Sequence, residues 1–127
     1  MNEKDNKYLG NCHCGKIKFL FYCKDQVEIL VCNCSICTPT NYYHLIVPHT
    51  KFKLIKGKKY LKEYVFETKK AKHLFCTNCG IKSYYQPRSH KDSYSININC
   101  VNNPPIIKKF IKFNGKDFDT AMKKLAK

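Results

Sequence analysis

Seven of the nine cysteines fall into three short clusters whose spacing suits a metal ion. They read Cys12-His13-Cys14-Gly15, Cys32-Asn33-Cys34-Ser35-Ile36-Cys37 and Cys76-Thr77-Asn78-Cys79-Gly80. A zinc ion takes four sulfur or nitrogen ligands, with sulfur at about 2.3 Å. Two cysteines separated by two residues can wrap a tight turn around one such ion. Gly80 follows a turn of this kind, where a left-handed backbone is easiest without a Cβ. Gly15 is expected to do the same after Cys12 and Cys14.

Ligand arithmetic separates two sites. Cys12 and Cys14 paired with Cys76 and Cys79 give a closed four-thiolate zinc, which would contribute directly to folding. Cys32, Cys34 and Cys37 are left with three thiolates and an open fourth position, the usual form of a catalytic zinc. Spacing alone leaves another arrangement standing, in which this second site is closed by Cys23, Cys100, His44 or His73. A short zinc ribbon places its two pairs close together. Here 61 residues lie between Cys14 and Cys76. That separation favours zinc holding together a larger β fold.

Three thiolates and one Zn²⁺ carry a net negative charge, so the metal is a softened Lewis acid. It could bind an incoming thiol, lower its pKa and present a thiolate nucleophile. Addition of that thiolate to an aldehyde needs little more than positioning. Arg88 is the lone arginine, and its planar fork suits a substrate carboxylate; the plainer reading is a surface arginine. His44, His49, His73 and His90 could each carry a proton, against a packing or surface role for any one of them. Tyr42-Tyr43 and Tyr84-Tyr85 could line a pocket, against one core and one surface member in each pair. Cys23 ends a strand and is expected to be buried and inert.

The elements that must position these residues are mostly strands. Apolar residues alternate with polar ones over Lys16 to Tyr22, Tyr43 to Val47, Phe52 to Ile55 and Leu61 to Phe66. Val27 to Cys32 is a β-branched run, and Lys72 to Phe75, Ser83 to Gln86, Tyr94 to Ile98 and Ile106 to Phe113 follow. Pro39, Pro48, Gly57, Gly80 and Pro104-Pro105 punctuate them. Asp117 could cap a short terminal helix through Phe118, Ala121, Met122 and Leu125. The expectation is a mainly β, antiparallel fold with one short C-terminal helix.

A length of 127 residues fits a single domain, with a core over about 9–126. The first seven residues are polar, so no secretory signal is expected. No stretch approaches about 18 apolar residues, which excludes a membrane-spanning helix. The cytosol or nucleus is the expected address. There thiols stay reduced, and clustered cysteines hold metal more often than they form disulfides. The formal net charge of +15 admits a polyanionic partner such as nucleic acid or microtubules. It also admits compositional drift, because all but one of the 24 basic residues are lysine. Seven thiolates and two zinc ions would trim +15 to about +12.

The ordered motifs resemble the glutathione-dependent formaldehyde-activating enzyme family, and most closely its centromere protein V branch. The resemblance is carried by Gly10-Asn-Cys12-His-Cys14-Gly15, by Cys32-Asn-Cys34-Ser-Ile-Cys37 and by Phe75-Cys76-Thr-Asn-Cys79-Gly80. His44-Leu-Ile-Val-Pro48, Phe52 to Gly57, Ala71-Lys-His73-Leu-Phe75, Tyr85-Gln-Pro-Arg-Ser89 and Phe113-Asn-Gly115 extend it over nearly the whole chain. It implies an Mss4-like antiparallel β fold with two zinc ions per chain. It implies structural zinc at Cys12, Cys14, Cys76 and Cys79, and a second zinc with an open position at Cys32, Cys34 and Cys37. The enzyme branch implies a carbon–sulfur lyase-type reaction joining glutathione to formaldehyde as S-hydroxymethylglutathione. The centromere branch implies a non-catalytic module that binds chromatin or microtubules.

Overall fold

The computed structural model describes residues 5–33, 36, 39, 42–65, 71–113 and 118–125. Cys34, Cys37 and Asp117 lie outside the described residues, and with them most of the predicted second zinc site.

Eleven strands build two main sheets and one hairpin among the described residues. The first sheet has the order β10-β1-β2-β5, from β1 (Asn6–Asn11), β2 (Lys18–Cys23), β5 (Phe52–Lys56) and β10 (Val101–Asn102). The second runs β11-β3-β4-β9-β8, from β3 (Gln26–Cys32), β4 (Tyr43–Pro48), β8 (Tyr84–Tyr85), β9 (Ser93–Asn97) and β11 (Ile106–Phe113). Strands β6 (Leu61–Tyr64) and β7 (His73–Cys76) form the hairpin. The fold is mainly β and almost wholly antiparallel, the exception being the parallel pairing of β3 with β11. A helix, α1, spans Phe118–Leu125.

Period-two burial explains the layering. In β2, Phe19 and Phe21 point inward while Lys18 and Tyr22 point outward. In the second sheet Val27, Ile29, Leu45, Val47, Ile96 and Tyr84 point toward them, and all belong to one buried cluster. Aromatic rings tie the layers together: Phe19 lies 5.3 Å from Phe52 and 5.4 Å from Tyr84. Cys12 and Cys76 join the same cluster, so the first metal-binding motif is built into the core.

Two strands are not anticipated by hydrophobic pattern. Strand β1 contains Lys7, Asn6 and Asn11, and its buried residue is Gly10. A Cβ on Gly10 would lie 2.4 Å from Cζ of Phe19, so the strand contributes an empty site that the Phe19 ring fills. Strand β10 has only two residues and borrows its pairing from β1, with Leu9 opposite Asn102 and Gly10 opposite Val101. Neither has the apolar alternation that marks a strand in sequence.

Candidate functional site

Two tight turns face each other across the chain. The first follows β1, where the Gly15 N–H donates to the Cys12 carbonyl at 3.1 Å. The second follows β7, where the Gly80 N–H donates to the Cys76 carbonyl at 2.8 Å. Gly15 and Gly80 have φ of 79° and 77°, the left-handed conformation that glycine alone adopts without Cβ strain. The turns bring Cys12, Cys14, Cys76 and Cys79 together, with all four Sγ atoms within 4.8 Å of one another. Cys12 Sγ is 3.6 Å from Cys14 Sγ, which is 3.7 Å from Cys76 Sγ. A tetrahedral zinc with sulfur at about 2.3 Å places its ligands about 3.8 Å apart. The cluster therefore fits a zinc-sized ion with little adjustment. The N–H groups of Ile17 and Asn78 each donate to a sulfur, Cys12 and Cys76 respectively, at 3.4 Å, as suits thiolates.

Left as bare thiols, the four would not ionise alike. Burial pushes Cys12 up to about 11. Hydrogen bonds from the Asn78 side chain and the Lys16 backbone bring the exposed Cys14 down to about 6. Cys79 is also lowered; burial opposes its ionisation, but the backbone N–H groups of Cys14 and Ile81 outweigh it. A divalent cation supplies the charge that lets buried and exposed sulfurs bind together as thiolates.

A second constellation lies on the opposite side of the five-stranded sheet. Register places Leu30 opposite His44 and Val31 opposite Tyr43. Cys32, the last residue of β3, follows Leu30 by two and so shares its face, while the Tyr42 ring lies 4.6 Å from that of His44 and 5.4 Å from that of Tyr85. Tyr85 pairs with Ser95 across β8 and β9. Antiparallel partners share a face, so Cys32, Tyr42, His44, Ser95 and Tyr85 lie on the side away from the apolar core. His44 Nδ1 is hydrogen-bonded to Ser95 Oγ at 2.8 Å and to the Tyr85 hydroxyl at 3.3 Å. The Tyr42 hydroxyl donates to the Ser95 carbonyl at 2.6 Å. His73 stacks on the Tyr85 ring with centroids 4.9 Å apart. Lys82 Nζ lies 3.7 Å from the Tyr85 centroid and 4.9 Å from that of Tyr42. It donates to His73 Nδ1 at 2.7 Å. Tyr42, His44, His73, Ser95 and Tyr85 are all buried.

The profile of the glutathione-dependent formaldehyde-activating enzymes matches residues 7–114. The chain belongs to this family. A crystal structure of a Rhodobacter sphaeroides protein has a similar fold, with a TM-score of 0.66 and 25% identity. The likeness covers 81% of this chain and 99% of that one.

Within this member of the formaldehyde-activating family, the predicted site residues separate into groups. Cys12, Cys14, Cys76 and Cys79 are brought together. Cys32 stands at the end of β3, on the same sheet face as the polar cluster, while its partners Cys34 and Cys37 fall outside the described residues. His44 and His73, considered as borrowed ligands, have their Nδ1 atoms bonded to Ser95 and Lys82 respectively. Cys100 sits near the four-cysteine site. Its thiol is pushed up to about 11 by burial and by the charges of Cys12 and Cys79. Cys23 does end β2 but is half-buried, not buried as expected, because it sits at the strand's end; partial burial still raises its thiol to about 11. Arg88 lies half-buried in the bend between β8 and β9. His49 and His90 hold that same loop through Gln86 and Ser89. Tyr84 and Tyr85 are both buried, contrary to the expected core-and-surface split, because Tyr84 fills the core and Tyr85 the polar cluster. Lys82 was not singled out in the sequence. A lysine two residues after a Cys-Gly turn looks like any other solvated lysine, and only the fold brings it over two aromatic rings.

Proposed function

We propose that this protein is a zinc-dependent, carbon–sulfur lyase-type enzyme that joins a thiol such as glutathione to formaldehyde, forming S-hydroxymethylglutathione. The observation that carries the reading is the buried Tyr42–His44–Ser95–Tyr85 cluster, with Lys82 and His73 against it, on the sheet face where Cys32 emerges. Membership of the family supports the choice of reaction. Zinc at Cys12, Cys14, Cys76 and Cys79 is the structural ion of this reading. A second zinc at Cys32, Cys34 and Cys37 would lower the pKa of the substrate thiol when bound.

The reaction forms one sulfur–carbon bond and moves one proton. The sulfur lone pair attacks the aldehyde carbon, the carbonyl π pair moves onto oxygen, and the proton lost by the thiol ends on that oxygen. His44 can hold a proton between Ser95 and Tyr85, within the hydrogen-bond reach that general acid–base catalysis needs. The Lys82 ammonium, aimed at the Tyr85 ring, makes the cluster electropositive and favours negative charge developing on a nearby oxygen. Arg88 is the second cation assigned to this function, as a contact for a glutathione carboxylate. A reducing compartment, cytosol or nucleus, suits seven thiolate ligands. No helix of the described residues is long and apolar enough to cross a membrane.

Exchange spectroscopy by NMR on glutathione and formaldehyde tests the proposal. Zinc-loaded protein is expected to speed interconversion of free and hydroxymethylated glutathione. A rate equal to that of the protein-free mixture would refute it.

A further inference from the structure

The outward face of the four-stranded sheet, remote in topology from the cluster at Cys32, has its own chemistry. Register places Lys7 opposite Tyr22, Leu9 opposite Leu20 and Asn11 opposite Lys18 across β1 and β2. It also places Leu20 opposite Lys53 across β2 and β5 and, past a β-bulge that returns the next lysine of β5 to the same side, Lys18 opposite Lys56. All of these residues therefore share one face. Lys7, Lys18, Lys53 and Lys56 are exposed. Leu9 and Tyr22, 46% and 40% exposed, stand among them. No Asp or Glu occurs in β1, β2, β5 or β10.

Two features of this face are unfavourable for the isolated protein. Lys18 and Lys56 are like charges directly opposite each other, an arrangement that destabilises a sheet. Leu9 and Tyr22 expose apolar surface beside them. One kind of partner relieves both, a chain that offers regularly spaced anions together with flat apolar groups.

We infer that this sheet face binds single-stranded nucleic acid, with phosphates on Lys7, Lys18, Lys53 and Lys56 and a base stacked on Tyr22. An open antiparallel sheet presenting an aromatic ring flanked by cations is a recurrent platform for splayed bases. Bases stack on one side chain whatever their identity, so binding is expected to tolerate sequence. The site is independent of the thiol–aldehyde reaction and survives its failure.

Fluorescence anisotropy with a labelled, mixed-sequence oligonucleotide of roughly 12 nucleotides tests the inference on the zinc-loaded full chain. Four phosphate contacts on a single strand predict a slope of log K against log salt of about −3. Lys18→Gln with Lys56→Gln should bring that slope to about −1.4. Tyr22→Ala should weaken binding about fivefold or more with the slope unchanged, and Tyr22→Phe should restore it. As a control, Lys108→Gln with Lys109→Gln removes the same charge from β11, outside this face, and should leave the slope as in the parent. Circular dichroism checks that each variant is folded. No binding at low salt overturns the inference. So does equal weakening by the β11 control, which means diffuse attraction. Full binding by folded Tyr22→Ala, with polyglutamate competing as well as the oligonucleotide, means an acidic protein surface is the occupant instead.

Discussion

The Sγ atoms of Cys14 and Cys76 lie 3.7 Å apart although 62 positions of chain separate them. Closing so long a loop costs conformational entropy that neighbouring packing must repay. A metal at this point binds the folded chain and not the extended one, so its binding energy becomes folding energy. Cys76→Ser is therefore expected to unfold the domain or make it insoluble. Strong chelators should do the same to the parent protein. Circular dichroism and zinc content, read on one sample, check both.

The second predicted site gathers its ligands within six residues, Cys32 to Cys37. Little of the fold is needed to bring them together. Cys34→Ser should lose about one zinc per chain and keep the β signal. Elemental analysis beside circular dichroism measures this. Unfolding as complete as in Cys76→Ser would make the second site structural.

Much of the fold was legible in the sequence. Phe19 and Phe21 alternate with outward residues, and Cys76 and Cys79 flank a turn that ends in glycine. Both signals are local, which is why strand β2 and the second cysteine turn of the four-cysteine cluster could be anticipated. Strand β1 was not legible, because Gly10 is buried through what it leaves empty for Phe19. The parallel partnership of β3 and β11 was not legible either, since a strand's direction leaves no mark on its own pattern. The polar cluster is the clearest loss. His44, Tyr85, His73 and Lys82 come from separate strands and one loop, and their meeting depends on register.

Within the polar cluster, Tyr85→Phe removes the hydroxyl that contacts His44 Nδ1 at 3.3 Å and keeps the ring under Lys82. It is expected to lower the turnover of adduct formation by about 10²-fold or more, with little change in KM. Lys82→Met should also lower turnover, while Lys82→Arg retains part of it. Steady-state kinetics separates these from a packing defect, which would appear as a lowered thermal midpoint.

Gly10→Ala should destabilise the fold. Its new methyl meets the buried Phe19 ring at 2.4 to 2.7 Å and the Cys100 carbonyl at 3.1 Å. Overpacking of this kind costs about 1–3 kcal/mol. Urea unfolding at fixed zinc should show a lower midpoint with an unchanged slope.

Alkaline pH should weaken the fold through Cys23 and Cys100. Burial raises both thiols from 9.0 to about 11. Between those values the unfolded chain has released protons that the folded chain keeps. The stability they contribute is thus complete below about pH 9 and is lost as pH rises through about 11. Denaturation midpoints across this window should fall less steeply in Cys23→Ala than in the parent.

The central claim is that the site beginning at Cys32 works on a thiol while the site at Cys12, Cys14, Cys76 and Cys79 holds the fold. The most direct test is the glutathione–formaldehyde exchange rate of the parent and Cys34→Ser, at equal concentrations of folded protein and with the structural zinc bound in each. The parent is predicted to exceed the protein-free rate, and Cys34→Ser to fall back to it with its circular dichroism unchanged. Equal acceleration by both proteins would contradict the account, because the chemistry would then lie elsewhere in the chain.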